Sequence, residues 1–461
     1  MKGIFKGITA ISCAALMAFG FVACNEKEIV NAYDIAVKNG FVGTEQEWLE
    51  SLKGANGKDG EDLDIQDVYE ASGYQGDLLG FISEYLKVDV QEDNDVETLA
   101  QNVLSVVSIY CGFTKTVETN NGWPLFGTST ETQVYCSAGS GVILDLNQQA
   151  GSAYIVTNYH VIYDMESDAK NKISNSIYVY TYGALNGFST TTGKDENGDG
   201  MLATFVGGAM DYDIAILKVE GKKHLQTALA TEAKIGQSNN VQLGEKVFAV
   251  GNPEGAGISV TAGVLSVDSE YIAMSSTDGA NRSVSYRVMR TDAAINSGNS
   301  GGALFNAQGE LIGITNAKNV DDGVDNMGYA LPITQVVYLM ENLFDNGGVV
   351  KRAMLGITVS LLDSEAVYVD GMLTIKETLA VDSTKIETTA AAYGKLRYMD
   401  KLVSIKINDG ETVTLNRKYH LNDLLLTVRK GDTLTLGIIR DGKEQTVAIT
   451  YNNDAYFTTY A

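Results

Sequence analysis

Only three histidines occur in the 461-residue chain, His160, His224 and His420. His160 ends the run Ile155-Val156-Thr157-Asn158-Tyr159-His160, just past a stretch that reads as an apolar strand. A lone histidine at a strand end is usually structural, so its weight depends on what else the chain supplies. Asp213 opens a second apolar run, Ile214–Val219, where a carboxylate is costly to bury unless a donor or a cation awaits it. Ser300 lies in Ser297-Gly298-Asn299-Ser300-Gly301-Gly302. Glycines on both sides of a serine permit a tight loop whose backbone N–H groups converge on one point, as an oxyanion requires. A hydroxyl, an imidazole and a buried carboxylate together can perform acyl transfer, with serine as nucleophile and histidine as base.

The segments around these residues must be strands. From residue 98 to 350 the chain is a series of short β-rich runs separated by Gly, Asn and Asp. They include Val103–Tyr110, Gly141–Leu146, Ala153–Thr157, Ile177–Tyr182, Asp213–Val219 and Val247–Val250. Many short strands with turn-rich joints predict barrels or a sandwich. Residues 351–461 read as a compact α+β unit, with strands Leu402–Ile407 and Thr433–Arg440 and a helix over Leu421–Val428. The hairpin signal Asp441-Gly442 then leads into Thr446–Tyr451. Residues 24–97 are acidic and helix-prone. They carry a repeat in which Gly40-Phe41-Val42-Gly43-Thr44 is echoed by Gly73-Tyr74-Gln75-Gly76-Asp77, and they read as a small helical spacer module.

The chain order His, Asp, Ser is that of chymotrypsin-like proteases, not of subtilisins or α/β-hydrolases. From about Asn102 onward the sequence resembles the HtrA/Deg serine proteases. The resemblance is carried by Ser137-Ala138-Gly139-Ser140-Gly141, the block around His160, Asp213-Ile214-Ala215 and Gly251-Asn252-Pro253. It continues through Thr261-Ala262-Gly263, the block around Ser300 and Gly328-Tyr329-Ala330-Leu331-Pro332. It implies a mainly β chain, with a chymotrypsin-like double β-barrel over 98–350 and a PDZ domain over 351–461. It further implies Ser300 as nucleophile, His160 as general base, Asp213 as its orienting partner, and Gly298 and Ser300 as oxyanion donors. Ala294, six residues before Ser300, and Ile314 are expected to shape the specificity pocket. Asn299 stands where proteases activated by cleavage carry an aspartate, so control by loop ordering is expected instead.

In the PDZ-like unit, Met354-Leu355-Gly356-Ile357 matches the carboxylate-binding loop, so Leu355, Gly356 and Ile357 are expected to receive a peptide C-terminus. His420 is expected to be an exposed residue near the start of the groove helix. The function so implied is a serine endopeptidase acting on unfolded or mislocalised exported proteins. The alternative is a PDZ-based chaperone or scaffold with minor proteolysis. No cofactor is implied, and a homotrimer is an assembly the resemblance leaves open.

Residues 1–23, with Lys2 and Lys6 before an apolar run and Ala23 before Cys24, read as an export signal of lipoprotein type. Cys24 is then the lipidated residue, tethering the protein outside the cytoplasm. A plain cleaved signal or a retained anchor helix is the other reading, and no other stretch reaches the ~18 apolar residues of a spanning helix. A net charge of −24 argues against nucleic acid as a partner. In the body of the chain Cys111 and Cys136 form either a disulfide or two separate buried thiols. No metal site is read. Asp195-Glu196-Asn197-Gly198-Asp199-Gly200 opens like a calcium loop, but Val206 occupies the twelfth position where glutamate is required. His224 has no partner at metal-ligand spacing.

Overall fold

The computed structural model describes residues 37, 41–44, 74 and, from 95 onward, all but 121–127, 197, 222, 228, 279–281, 317–326, 370, 371 and 461. The expected signal, Cys24 with its expected lipidation, and nearly all of the repeat module lie outside the described residues. The chain divides into two units, Met1–Glu92 and Asp93–Ala461, and both barrels and the C-terminal sheet belong to the second.

Strand Ile214–Val219 shows why the β-rich runs fold as they do. Its side chains alternate between two cores. Ala215, Leu217 and Val219 face one core with Val107, Ile109, Ile143 and Ile155. Ile214 and Ile216 face another with Val288, Phe305, Ile314 and Leu339. A strand covered on both faces reads as an uninterrupted apolar run, which is the pattern seen. It belongs to a seven-stranded antiparallel sheet. In spatial order the strands are Met201–Leu202, Ser176–Tyr180, Val106–Asn120, Thr128–Asn147, Ser152–Thr157, Ile214–Val219 and Thr204–Ala209. The two edge strands are separated in sequence by Ala203 alone, so the sheet curls until its edges nearly meet, a half-barrel. A second sheet closes fully. Its order is Lys246–Gly251, Ser259–Ser275, Ser283–Thr291, Gly328–Pro332, Leu311–Asn316 and Ala303–Asn306.

Helix Ile333–Asp345 follows the closed barrel and buries Ile333, Val336, Leu339 and Leu343 at helical spacing. The sequence reading placed no element there. The last part of the chain forms a sheet in the order Val359–Val369, Met372–Val381, Lys401–Ile407, Thr433–Arg440 and Lys443–Thr450, with Thr412–Thr414 paired beside the third strand. Asp441 and Gly442 both take positive φ (51° and 75°), as the tight hairpin between the last two strands demands. The helix there runs Lys418–Leu424, not Leu421–Val428. Beyond it the N–H groups of Leu426 and Thr427 reach back only three residues, to Asp423 and Leu424, so the backbone tightens into turns.

Candidate active site

Asp213 is the residue at which a short 3₁₀ turn, Met210–Tyr212, hands over to strand Ile214–Val219. It adopts a left-handed φ of 53° there. That conformation is uncommon for a residue other than glycine, and it points the carboxylate back across the start of the strand. The side chain is 1% exposed, yet it is well supplied with donors. The backbone N–H of His160 donates to Oδ1 at 3.0 Å. His160 Nδ1 lies 2.7 Å from Oδ2, and Asn316 Nδ2 donates to the same oxygen at 3.0 Å. The burial cost flagged by the sequence is thus offset by three hydrogen bonds. The backbone is tied as well, with Asn158 Nδ2 donating to the Asp213 carbonyl at 2.9 Å.

His160 sits in a single helical turn, Tyr159–Ile162, directly after strand Ser152–Thr157. That strand pairs with Ile214–Val219 so that Thr157 lies opposite Ala215, which brings the start of one strand to the end of the other. An Nδ1–H donating to Asp213 leaves Nε2 as the basic nitrogen, the tautomer a general base needs. The imidazole remains partly open, its side chain 23% exposed.

Ser300 lies on the loop that leads into strand Ala303–Asn306 of the closed barrel, and it is 5% exposed. This loop is packed against the segment that carries His160. The N–H of Ser140 donates to the Ser300 carbonyl at 2.8 Å, and Thr157 Oγ1 donates to the Ser140 carbonyl at 2.7 Å. A side chain at Gly301 would collide with Thr157 Oγ1, and one at Gly298 with the Asn252 carbonyl, so both glycines are required by close approach as well as by their positive φ. Sequence reasoning missed Asn316 as a partner of Asp213. Its signal was an amide closing the largely apolar strand Leu311–Asn316 at a 3% exposed position, which must find a partner. Asn316 Nδ2 also lies 3.3 Å from the hydroxyl of Tyr286, whose pKa is pushed up by burial and then by the charge of Asp213.

Two expectations need correction, for Ile314 and His420, and the alternative left open for the two cysteines is decided. Ile314 is fully buried and packs with Val106, Val142 and Phe305, so it belongs to the core and cannot wall a pocket. Cys111 and Cys136 are free thiols. In the register of their strands Cys111 pairs with Ser137, and Cys136 pairs with Gly112. Directly opposed residues share a face, and neighbours along a strand alternate, so the two sulfurs project from opposite faces of the sheet. His420 is not an exposed residue. It is half-buried, with Nδ1 3.0 Å from the Thr414 carbonyl. Of the remaining predicted residues, Ala294 is exposed, and Leu355 is buried in the C-terminal core. Gly356 is exposed at φ 72°, and Ile357 is partly buried. Asp195, in the calcium-like stretch, accepts from the N–H groups of Gly198 and Gly200 and from the Tyr180 hydroxyl, which closes a turn. No cluster of three or more metal-ligating side chains occurs among the described residues.

A half-barrel and a closed barrel, with histidine and aspartate joined at the end of one and a glycine-flanked serine on a loop of the other, define the trypsin-like peptidase class. The family model described as "Trypsin-like peptidase domain" matches residues 139–314. The chain is 32% identical over 321 residues to the serine protease Do-like HtrB of Bacillus subtilis (strain 168), over 68% of this chain and 61% of that protein. It is 30% identical over 333 residues to the serine protease Do-like HtrA of Lactococcus lactis subsp. lactis (strain IL1403), covering 70% of this chain and 72% of the relative. Among solved structures, an HtrA-type protease AlgW with a tripeptide aligns over 80% of this chain and 97% of that one, at 22% identity and a TM-score of 0.46. The chain belongs to the HtrA/DegP family of serine proteases. It spans about three fifths of the length of the B. subtilis relative.

Proposed function

We propose that this protein is an extracytoplasmic serine endopeptidase that cleaves unfolded or mislocalised exported proteins. The observation that carries the reading is the bond from His160 to the buried Asp213, 2.7 Å long, with the second carboxylate oxygen held by the His160 backbone. Ser300 is the nucleophile. His160 removes its proton as the hydroxyl attacks the scissile carbonyl and returns that proton to the leaving amine. Asp213 keeps the imidazole in the right tautomer and stabilises the imidazolium without taking the proton itself. The N–H groups of Gly298 and Ser300 receive the developing oxyanion. Water then repeats the sequence to release the acyl group.

The C-terminal sheet is read as a PDZ domain that recognises peptide C-termini. Strand Val359–Val369 stands at the edge of its sheet, so its outer side is open to pairing with an added strand, and Leu355-Gly356-Ile357 precede it as the carboxylate loop. Cys24 serves as the lipid anchor, and homotrimeric assembly goes with the family reading. The test is turnover of unfolded casein by the full-length protein beside Ser300→Ala. Loss of cleavage in the variant supports the endopeptidase. Equal cleavage by both would overturn the assignment of Ser300. Casein bound but not cut by the wild type would favour the scaffold reading, for which the open edge strand is the supporting feature.

A further inference from the structure

The loop Ser297–Ser300 is held by its carbonyls. A trans peptide is planar, with its C=O and N–H pointing in opposite directions, so whatever binds the carbonyl of one residue also aims the N–H of the next. All peptide bonds among the described residues are trans. The Gly298 N–H shares its plane with the Ser297 carbonyl, which accepts from the Glu254 N–H at 2.8 Å. The Ser300 N–H shares its plane with the Asn299 carbonyl. That carbonyl accepts from Thr315 Oγ1 at 2.6 Å and from the Gly302 N–H at 2.9 Å. The plane between them carries the Gly298 carbonyl, which accepts from Ser140 Oγ at 2.8 Å.

Two of these donors are side chains buried beyond the reach of solvent, Ser140 and Thr315. Neither hydroxyl serves the packing of an apolar core, and each spends its proton on this loop. Ser140 also accepts from the Asn252 N–H at 2.8 Å, so one hydroxyl ties the half-barrel, the Asn252 turn and the serine loop together. Its backbone N–H holds the Ser300 carbonyl as well.

We infer that Thr315 and Ser140 are positioning residues: Thr315 aims the Ser300 N–H of the oxyanion site by pinning the Asn299 carbonyl, and Ser140 fixes the peptide plane between the two donors by pinning the Gly298 carbonyl. The inference rests on the endopeptidase reading of the protein. Removing either hydroxyl leaves His160, Asp213 and Ser300 untouched but frees a peptide plane to rotate. Transition-state binding then weakens while substrate binding does not. The loss should be smaller than for deleting a donor outright, about 10- to 100-fold in kcat with KM within about 3-fold.

The test is steady-state hydrolysis of a peptide by the full-length protein, comparing wild type, Thr315→Val, Thr315→Ser and Ser140→Ala. Each variant is also characterised by its melting curve and by inhibition with a peptide aldehyde, whose tetrahedral adduct places an oxyanion in the site. Thr315→Val and Ser140→Ala should lose kcat and bind the aldehyde more weakly by a similar factor. The pH profile of kcat/KM should stay where it is in wild type. Thr315→Ser, which keeps the hydroxyl, should recover most of the activity even if Thr315→Val melts early. Wild-type kcat in both hydroxyl-free variants would overturn the inference, as would a kcat loss without weaker aldehyde binding, or Thr315→Ser no better than Thr315→Val. A wild type that hydrolyses nothing would instead sink the endopeptidase reading, and this inference with it.

Discussion

Arg287, on a strand of the closed barrel, and Asp423, on the helix of the C-terminal sheet, meet at 2.6 Å in a site where neither side chain is more than 2% exposed. The guanidinium lies 3.5 Å from the ring centre of Tyr419, and Gln335 Nε2 donates to the other carboxylate oxygen at 2.9 Å. The pair therefore welds the C-terminal sheet to the barrel and to helix Ile333–Asp345. Burial pushes the Asp423 carboxyl upward, and the arginine opposes that shift. Asp423→Ala would leave an uncompensated cation in this pocket, and removing one partner of a buried pair costs about 3–5 kcal/mol. We expect a drop of that order in denaturant unfolding. Arg287→Met combined with Asp423→Leu should lose much less. Equal losses for the single and the double variant would refute this account.

Asp213→Asn should preserve the fold while reversing the hydrogen bond to His160. An amide can present an N–H to Nδ1 and so favour the wrong tautomer, at a cost of about 10⁴ in kcat in the chymotrypsin template. We expect a loss of that order at neutral pH with an unchanged melting temperature. Peptide hydrolysis and calorimetry on the same preparation check both halves.

How far the sequence could be read depended on whether a feature was local. His160, Asp213 and Ser300 each stand at a strand boundary that shows in a window of a few residues: a strand ending in Asn-Tyr-His, an aspartate before an apolar run, a serine among glycines. Features set by register were not legible. Spacing could not say that Cys111 lies opposite Ser137. Nor could alternation along Leu311–Asn316 say which face meets a core. Both faces of that strand are buried, and apposition of the two barrels packs Ile314 with Val106 and Val142 of the other sheet. Long-range partners such as Asn316 for Asp213 and Ser140 for Gly298 appear only once the two barrels are apposed.

The cysteines provide a direct check of that register. Both should alkylate fully under denaturing, non-reducing conditions. In the native protein Cys111 should resist, because it has no exposed surface and burial pushes its thiol up to about 12, leaving almost no thiolate. Cys136 is partly exposed and should react first. Mass spectrometry of timed iodoacetamide labelling reads the order, and a linked peptide pair in the non-reduced digest would contradict it.

His420 gives the C-terminal sheet an acid sensitivity of predictable sign. Burial lowers its pKa from 6.5 to about 4, against the raising effect of the Thr414 carbonyl. The unfolded chain therefore binds a proton near pH 6.5, where the folded protein does not. This contribution to stability is intact above pH 6.5 and is lost progressively as pH falls toward 4. Carboxylates titrate over part of the same range, so the informative quantity is a difference. His420→Asn, which keeps a donor for Thr414 but cannot be protonated, should melt with a shallower pH dependence than wild type between pH 6.5 and 4. Parallel curves would rule out a role for this histidine.

Cleavage preference depends on what stands at the expected floor of the specificity pocket. In chymotrypsin-like proteases that floor is built partly from the residue six before the nucleophile, here Ala294. It is exposed, and its carbonyl accepts from Thr261 Oγ1 at 2.9 Å. A methyl group offers no charge to pair with lysine or arginine, and an unpaired cation is costly to desolvate. Valine, alanine or leucine instead gain about 25 cal/mol for each Å² of apolar surface removed from water. Ile314 is withdrawn as a wall, so the floor alone carries this argument. We expect cuts after small or medium aliphatic residues, with charged residues rejected at that position. Mass spectrometry of casein fragments decides the matter, and a majority of cuts after Lys or Arg would show the pocket to be misplaced. Ala294→Asp supplies the missing carboxylate and should move cleavage toward Lys and Arg, while leaving the apolar cuts weaker. If the substitution leaves the fragment pattern unchanged, residue 294 does not form the floor.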